Sequence, residues 1–139
     1  MDVFDKEKRS WIMSRIGGKN TEPERLVRSI VHRMGFRFRL HRRDLPGNPD
    51  IVMPKYHKVI FVHGCFWHGH DGCPRSDRPT THAAFWEKKL EGNVARDRRN
   101  LRNLRRGGWS VLVVWQCQTR NLEKLVSKIQ KFLASNEKR

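Results

Sequence analysis

No apolar run in this chain approaches the ~20 residues that a membrane-spanning helix needs. The opening MDVFDKEKRS has no apolar signal-peptide core. The expected setting is therefore the cytoplasm, with no membrane involved. Cysteine is scarce too. Three residues cannot all pair within one chain, and in a reducing compartment clustered Cys and His favour zinc over disulfides. Acidic side chains are few, 14 against 30 Lys and Arg, which leaves a formal charge of +16. That surplus exceeds what solubility requires and implies a polyanionic partner, most often nucleic acid. It is spread along the whole chain, which argues against an anionic membrane surface. No repeat or low-complexity linker divides the sequence, and 139 residues suit one domain with a modest core.

What is present reads in order. Residues 6–16 (KEKRSWIMSRI) read as a short basic helix, followed by a GGKN linker; together these make an N-terminal arm over 1–20. Thr21 and Glu24 have capping-box spacing, with Pro23 tolerated in the first turn, and a helix runs to about Met34 before Gly35. FRFRL (36–40) alternates as a half-exposed strand does. DIVM (50–53) and KVIFVH (58–63), joined by PKYH, predict an antiparallel hairpin. Residues 82–106 predict a long basic helix, with Trp86, Leu90, Val94, Asp97, Leu101 and Leu104 on one face. WSVLVVWQC (109–117) is a buried-type strand. A last helix covers about 121–134, leaving 135–139 as a short basic tail. The order helix, three strands, helix, strand, helix predicts a small mixed α/β sheet flanked by helices. The long helical crossover should make KVIFVH and WSVLVVWQC, the strands on either side of it, parallel.

The stretch VHGCFWHGHDGC (62–73) carries the chemistry. Cys65, His70 and Cys73 lie close together, and Cys117 ends a strand expected beside the one that delivers Cys65. A Cys3His set is a common structural zinc site, with His63 or His68 as alternatives to His70. Asp50 could hold Mg²⁺, a hard ion that bridges phosphate oxygens, and a neutral His63 or His68 nearby could take a proton from water. Each also has a plainer reading, as a turn residue or a surface imidazole. Phe66 and Trp67, and Trp86 at the start of the long helix, could enter a base stack or simply plug the core. Glu24 reads first as a cap. Asp97, amid arginines in ARDRRN, is expected to form a buried ion pair holding helix to sheet.

In order and at compatible spacing, the chain has LPGNPDIVMPKYHKVIFVHGCFWHGH and then FWEKKLEGNVARDRRNLRNLRRGGWSVLVVWQC. It resembles the very short patch repair (Vsr) DNA mismatch endonucleases over roughly residues 4–134. The resemblance implies a single domain on a restriction-endonuclease-like core. It implies a Mg²⁺-dependent, strand-specific nick 5′ of the thymine in a T·G mismatch left by 5-methylcytosine deamination. The substrate would be double-stranded DNA. The enzyme would be a monomer of a bacterial-type cytoplasm, working at the nucleoid, with possible repair-pathway protein partners. Asp50 and the Val62 main-chain carbonyl match the magnesium contacts. His68 matches the general base, and His63 and Glu24 match supporting residues. Cys65, His70, Cys73 and Cys117 match the structural zinc ligands. Phe66, Trp67 and Trp86 match the wedge beside the mismatch, and Lys89 and Asn93 match the DNA-facing helix. The better-known pattern has Thr at Val62, a change that a backbone ligand tolerates. It also has one residue fewer between His70 and Cys73, and its run of histidines is broken here by Gly69. The other readings kept open are a related homing- or restriction-like nuclease and a catalytically silent, zinc-stabilised DNA-binding protein.

Overall fold

A computed structural model describes residues 21–135. The helix expected over 6–16 and most of the tail lie outside those residues. The first helix, α1 (Glu22–Arg33), begins where its cap predicts: the Thr21 hydroxyl accepts the Glu24 N–H at 3.4 Å. The short strand β1 (Arg39–Leu40) pairs antiparallel with β2 (Ile51–Met53), and β2 pairs antiparallel with β3 (Lys58–His63). The long helix α2 (Ala83–Arg106) then crosses to β4 (Ser110–Trp115), which lies parallel to β3 with Lys58 opposite Ser110 and His63 opposite Trp115. The last helix is α3 (Leu122–Ala134). The sheet order is β1-β2-β3-β4, a mixed four-stranded sheet in the element order expected from the sequence.

Two differences have simple causes. FRFRL forms a strand only at its last two residues, because β2 runs just to Met53 and Pro54 opens a 3-10 turn whose ring lacks the N–H a ladder needs. Phe36 and Phe38 pack instead against the main core. The last strand stops at Trp115, so Cys117 stands on a 3-10 turn (Gln116–Arg120) just beyond the strand end rather than on it.

Alternation along the strands divides the interior in two. Ile51, Met53, Ile60 and Val114 face α1 and α3, where Val27, Val31, Leu125 and Ile129 meet them. Val52, Val59 and Phe61 face the other way, toward Leu104 and Leu101 of α2. The stripe read along α2 is the inward face of that helix: Leu90 and Leu104 are buried and Trp86, Val94, Asp97 and Leu101 partly so. Lys58 is buried, yet its ammonium donates to the Phe132 carbonyl at 2.6 Å and the Ser135 carbonyl at 2.7 Å. It therefore satisfies the C-terminal carbonyls of α3, where a cation is favoured. The C-terminal ends of the parallel pair β3 and β4 point to one edge of the molecule, and the chemistry-bearing loop leaves from there.

Candidate active site and metal centre

The loop after β3 folds back on itself through short turns. His68 N–H donates to the Gly64 carbonyl, and His70 N–H to the Cys65 carbonyl at 2.9 Å. Gly69 has φ +59°, and a β-carbon there would come within 2.7 Å of Val94 Cγ2 on α2. Glycine suits both the left-handed backbone and this close approach to Val94; a side chain here would require one or the other to shift.

One side of this loop gathers sulfur. One donor atom from each of Cys65, His70, Cys73 and Cys117 falls within 4.8 Å of every other. Cys117 Sγ lies 3.4 Å from His70 Nδ1, and the His70 ring stacks on Trp115 with centroids 4.2 Å apart. In a zinc tetrahedron with Zn–S near 2.3 Å and Zn–N near 2.0 Å, neighbouring ligands sit ~3.3–3.8 Å apart. The four residues therefore fit such an ion. Burial, with Cys65 and Cys73 close by, pushes the Cys117 thiol up to about 11. A cation at the centre would reverse that, because coordination deprotonates thiols. The expected zinc set and its choice of His70 thus converge in space. His63 and His68 are engaged elsewhere.

Those two histidines face a pocket on the α2 side of the sheet, together with Asp50, Val62, Asp97 and Asn100. His68 and His63 stack in parallel, with centroids 3.9 Å apart. His68 Nδ1 is 2.6 Å from Asp97 Oδ2. A carboxylate can only accept, so Nδ1 carries the proton of this hydrogen bond, leaving Nε2 as the ring nitrogen not engaged by Asp97. Burial, with His68 adjacent, pushes His63 down to about 4, and it is therefore neutral at physiological pH. The ion pair expected of Asp97 differs in two respects: its partner is the imidazole of the loop rather than a residue of the sheet, and Asp97 is partly rather than fully buried, while Arg96, Arg98 and Arg99 are exposed on α2.

On the other side of Asp50 lies a second group. Asp50 Oδ2 accepts the Val62 N–H at 2.6 Å. In an extended strand the N–H and C=O of one residue point to the same side. The Val62 carbonyl therefore faces the edge where Asp50 stands, as the expected magnesium contact requires. Asp50 carries the donor chemistry for such an ion: burial and the neighbouring Glu24 push its carboxyl up to about 7, against the pull of the Val62 N–H and of His41 and His68. A hard cation would relieve that cost. Glu24 is 1% exposed and takes a 2.7 Å contact from His41 Nε2 and a 2.8 Å contact from Arg28. It accordingly both begins a helix and reaches toward Asp50. Sequence reasoning had no reason to single out His41, which sits in the basic tract HRRD.

The aromatic residues form one cluster at the loop tip, with Phe66 and Trp86 half-buried and Trp67 and Phe85 exposed. Phe66 and Trp67 meet edge to face at 5.1 Å, and both lie against Trp86, at 5.6 and 5.9 Å. Trp67 is 49% exposed. Phe85, 60% exposed and 5.2 Å from Trp86, extends the cluster by a ring that the sequence did not single out. Asn93 donates to the Trp67 carbonyl at 3.0 Å, so part of its function is to hold the loop tip to α2. Lys89 and Asn93 line a shallow groove with Lys88, Arg96 and Arg99 on the outward face of α2.

The arrangement defines a class: a small basic α/β protein with a histidine–carboxylate pocket, a sulfur-rich ligand set and an aromatic tip, equipped for hydrolysis beside a polyanion. Comparison with known proteins sharpens it. The profile of the DNA mismatch endonuclease Vsr family matches residues 1–74. A type II nicking enzyme of Xanthomonas oryzae is 48% identical over 132 residues, covering 95% of this chain and 96% of that protein. The DNA mismatch endonuclease Vsr of Escherichia coli is 43% identical over 127 residues, covering 91% of this chain and 81% of its own. A type II nicking enzyme of Neisseria meningitidis is 40% identical over 136 residues, 93% of this chain and 96% of its own. The chain belongs to the Vsr family of DNA mismatch endonucleases.

Proposed function

We propose that the protein is a Mg²⁺-dependent DNA endonuclease that nicks one strand 5′ of the thymine in a T·G mismatch and so starts very short patch repair. The observation that carries this reading is the shared pocket of Asp50, His63, His68 and Asp97, with the aromatic tip on the same loop. Relatives named as a mismatch endonuclease and as nicking enzymes support it. On this reading the sheet and its helices are a restriction-endonuclease-like core, and the enzyme works as a monomer on the DNA of a bacterial cytoplasm.

In the proposed reaction, Asp50 and the Val62 carbonyl would hold the ion, which when bound would supply charge neutralisation at the scissile phosphate. His68 Nε2 takes a proton from the attacking water while Asp97 holds Nδ1–H and steadies the imidazolium that forms. His63, kept neutral, stacks on that ring and fixes its plane without adding charge. A bond from the water oxygen to phosphorus forms and the bond to the 3′ oxygen breaks. The 3′ oxygen leaves with a proton from solvent, giving a 5′-phosphate end. The thiol cluster does no chemistry; with zinc bound it fixes the loop that carries His68 and the tip. The Lys and Arg groove on α2 neutralises phosphates without reading sequence. Phe66, Trp67 and Trp86 enter the stack where a mismatch makes opening cheapest.

The test is nicking of end-labelled T·G and fully matched duplexes with Mg²⁺, by the natural chain and by Asp50→Ala. Strand-specific nicking of the T·G duplex that needs residue 50 is expected. Equal nicking of both duplexes would leave a nuclease without mismatch preference, and no nicking would leave a DNA-binding protein.

A further inference from the structure

One donor atom each of Glu24, His41 and Asp50 lies within 4.8 Å of the other two, and none of the three residues is exposed. His41 is brought there by the sheet. Its N–H donates to the Asp50 carbonyl at 3.3 Å, directly beyond the register pair Leu40 and Ile51. Its backbone is left-handed, φ 48°, a conformation that costs a side-chain-bearing residue free energy and tends to be kept where a side chain must be aimed. The aim is specific. Nε2 is 2.7 Å from Glu24 Oε2 and 4.0 Å from Asp50 Oδ1. Asp50's other oxygen is fixed by the Val62 N–H, so Oδ1 is the one turned to the imidazole. Arg28 meets Glu24 at the same Oε2.

We propose that Glu24, His41 and Asp50 together form a mixed nitrogen–oxygen cation site that takes Mn²⁺ in preference to Mg²⁺. The inference rests on the reading of Asp50 as a metal ligand and adds His41 to it. An all-oxygen set built from Asp50 and the Val62 carbonyl suits Mg²⁺. An imidazole nitrogen shifts preference toward later divalent ions, which accept nitrogen more readily. To coordinate, the ring carries its proton on Nδ1 and gives the Nε2 lone pair to the ion, exchanging its hydrogen bond to Glu24 for a bond to the metal that Glu24 shares. Arg28 then holds Glu24 in place. The competing role for His41 is the opposite one: an imidazolium lying between two carboxylates would be the site's own cation and would exclude a metal.

Mn²⁺ binding, followed by electron paramagnetic resonance on zinc-saturated full-length protein without DNA, separates the two. The expected result is that His41→Gln weakens Mn²⁺ binding by about tenfold or more, since even residues that only support a ligand cost that much when lost, while Mg²⁺, measured by competition, changes far less. Asp50→Asn should weaken both ions. Tighter binding of both ions by His41→Gln would show that the imidazole is a counter-charge and overturn the proposal, as would unchanged Mn²⁺ binding in His41→Gln or in Asp50→Asn. His41→Ala, with the urea midpoint of each variant, guards against reading a folding defect as a lost ligand. The result is independent of the nicking assay: Mg²⁺-dependent nicking by the natural chain with Mn²⁺ binding unaffected at residue 41 would remove this inference and leave the proposed function standing.

Discussion

The loop after β3 serves two regions that share histidine and little else. On one side, His70 joins three thiols; on the other, His63 and His68 join carboxylates. The first set draws its ligands from the loop and from the turn after β4, and stacks its imidazole on Trp115. The second draws on α1, the turn before β2, the end of β3, the loop and α2. Partner chemistry decides what each imidazole can do. Among thiols it could complete the four-ligand set of a zinc tetrahedron. Beside Asp97 one ring nitrogen is held by the carboxylate, the arrangement that the proposed general base requires. The twelve residues 62–73 therefore contribute to two clusters at once, because His68 and His70, on either side of Gly69, join different groups.

Perturbing the sulfur side should have the largest effect. Structural zinc contributes roughly 10–16 kcal/mol of apparent binding energy in small domains. Replacing Cys117 by Ser should lower zinc content by elemental analysis and lower the urea midpoint, and should reduce nicking as the loop loses its brace. Full zinc occupancy in that variant would take Cys117 out of the site. On the other side, His68→Ala should lower the nicking rate by about 10²–10⁴-fold, the range of general-base catalysis, with DNA affinity kept. If zinc were lost as well, the two regions would not be separable as described.

A smaller effect tests the electrostatics of the pocket. His63 is pushed down from 6.5 to about 4. Below 6.5 the unfolded chain takes a proton that the folded one refuses, so stability falls with pH, by roughly 3 kcal/mol at most once pH 4 is passed. Asp50 is pushed up from 3.8 to about 7, with the opposite sign: between those values the folded chain holds the proton, and stability rises as pH falls. The two oppose each other across the same window. In magnesium-free buffer, Asp50→Asn should lose urea resistance between pH 7 and 5, and His63→Gln should gain it. Slopes of the same sign in both variants would show that the pocket is more open to water than its geometry indicates.

How much of this was legible beforehand follows from which interactions are local. The stripe on α2, the β2–β3 hairpin and the parallel pairing of β3 with β4 are carried by periodicity and connection length, and they stand as expected. The thiol cluster was legible because scarce residue types recur at ligand spacing. His41 was not. It owes its place to a two-residue strand, and no pattern in HRRD shows that β1 will register Leu40 against Ile51 and set the next residue beside Asp50. Asp97 was seen as an ion-pairing residue on the inward stripe, but no local pattern shows that its partner is the loop imidazole of His68, 29 residues earlier.

The last comparison concerns the aromatic tip, which could belong to either region. Phe66 and Trp67 follow Cys65 directly and could be a lid over the thiols; they also contact Trp86 and leave Trp67 half in solvent. A packing lid would be expected to bury its largest ring, whereas a wedge must keep a ring available. The exposure of Trp67 and Phe85 favours the wedge. Stacking against a base is worth ~1–3 kcal/mol per ring, so replacing Phe66 and Trp67 together by alanine should cut the preference for T·G over matched duplex by about tenfold or more. Binding to the phosphate backbone, carried by Lys89 and its basic neighbours, should change little. An equal loss on both duplexes, accompanied by a lower urea midpoint, would place the tip with the sulfur side as a packing element.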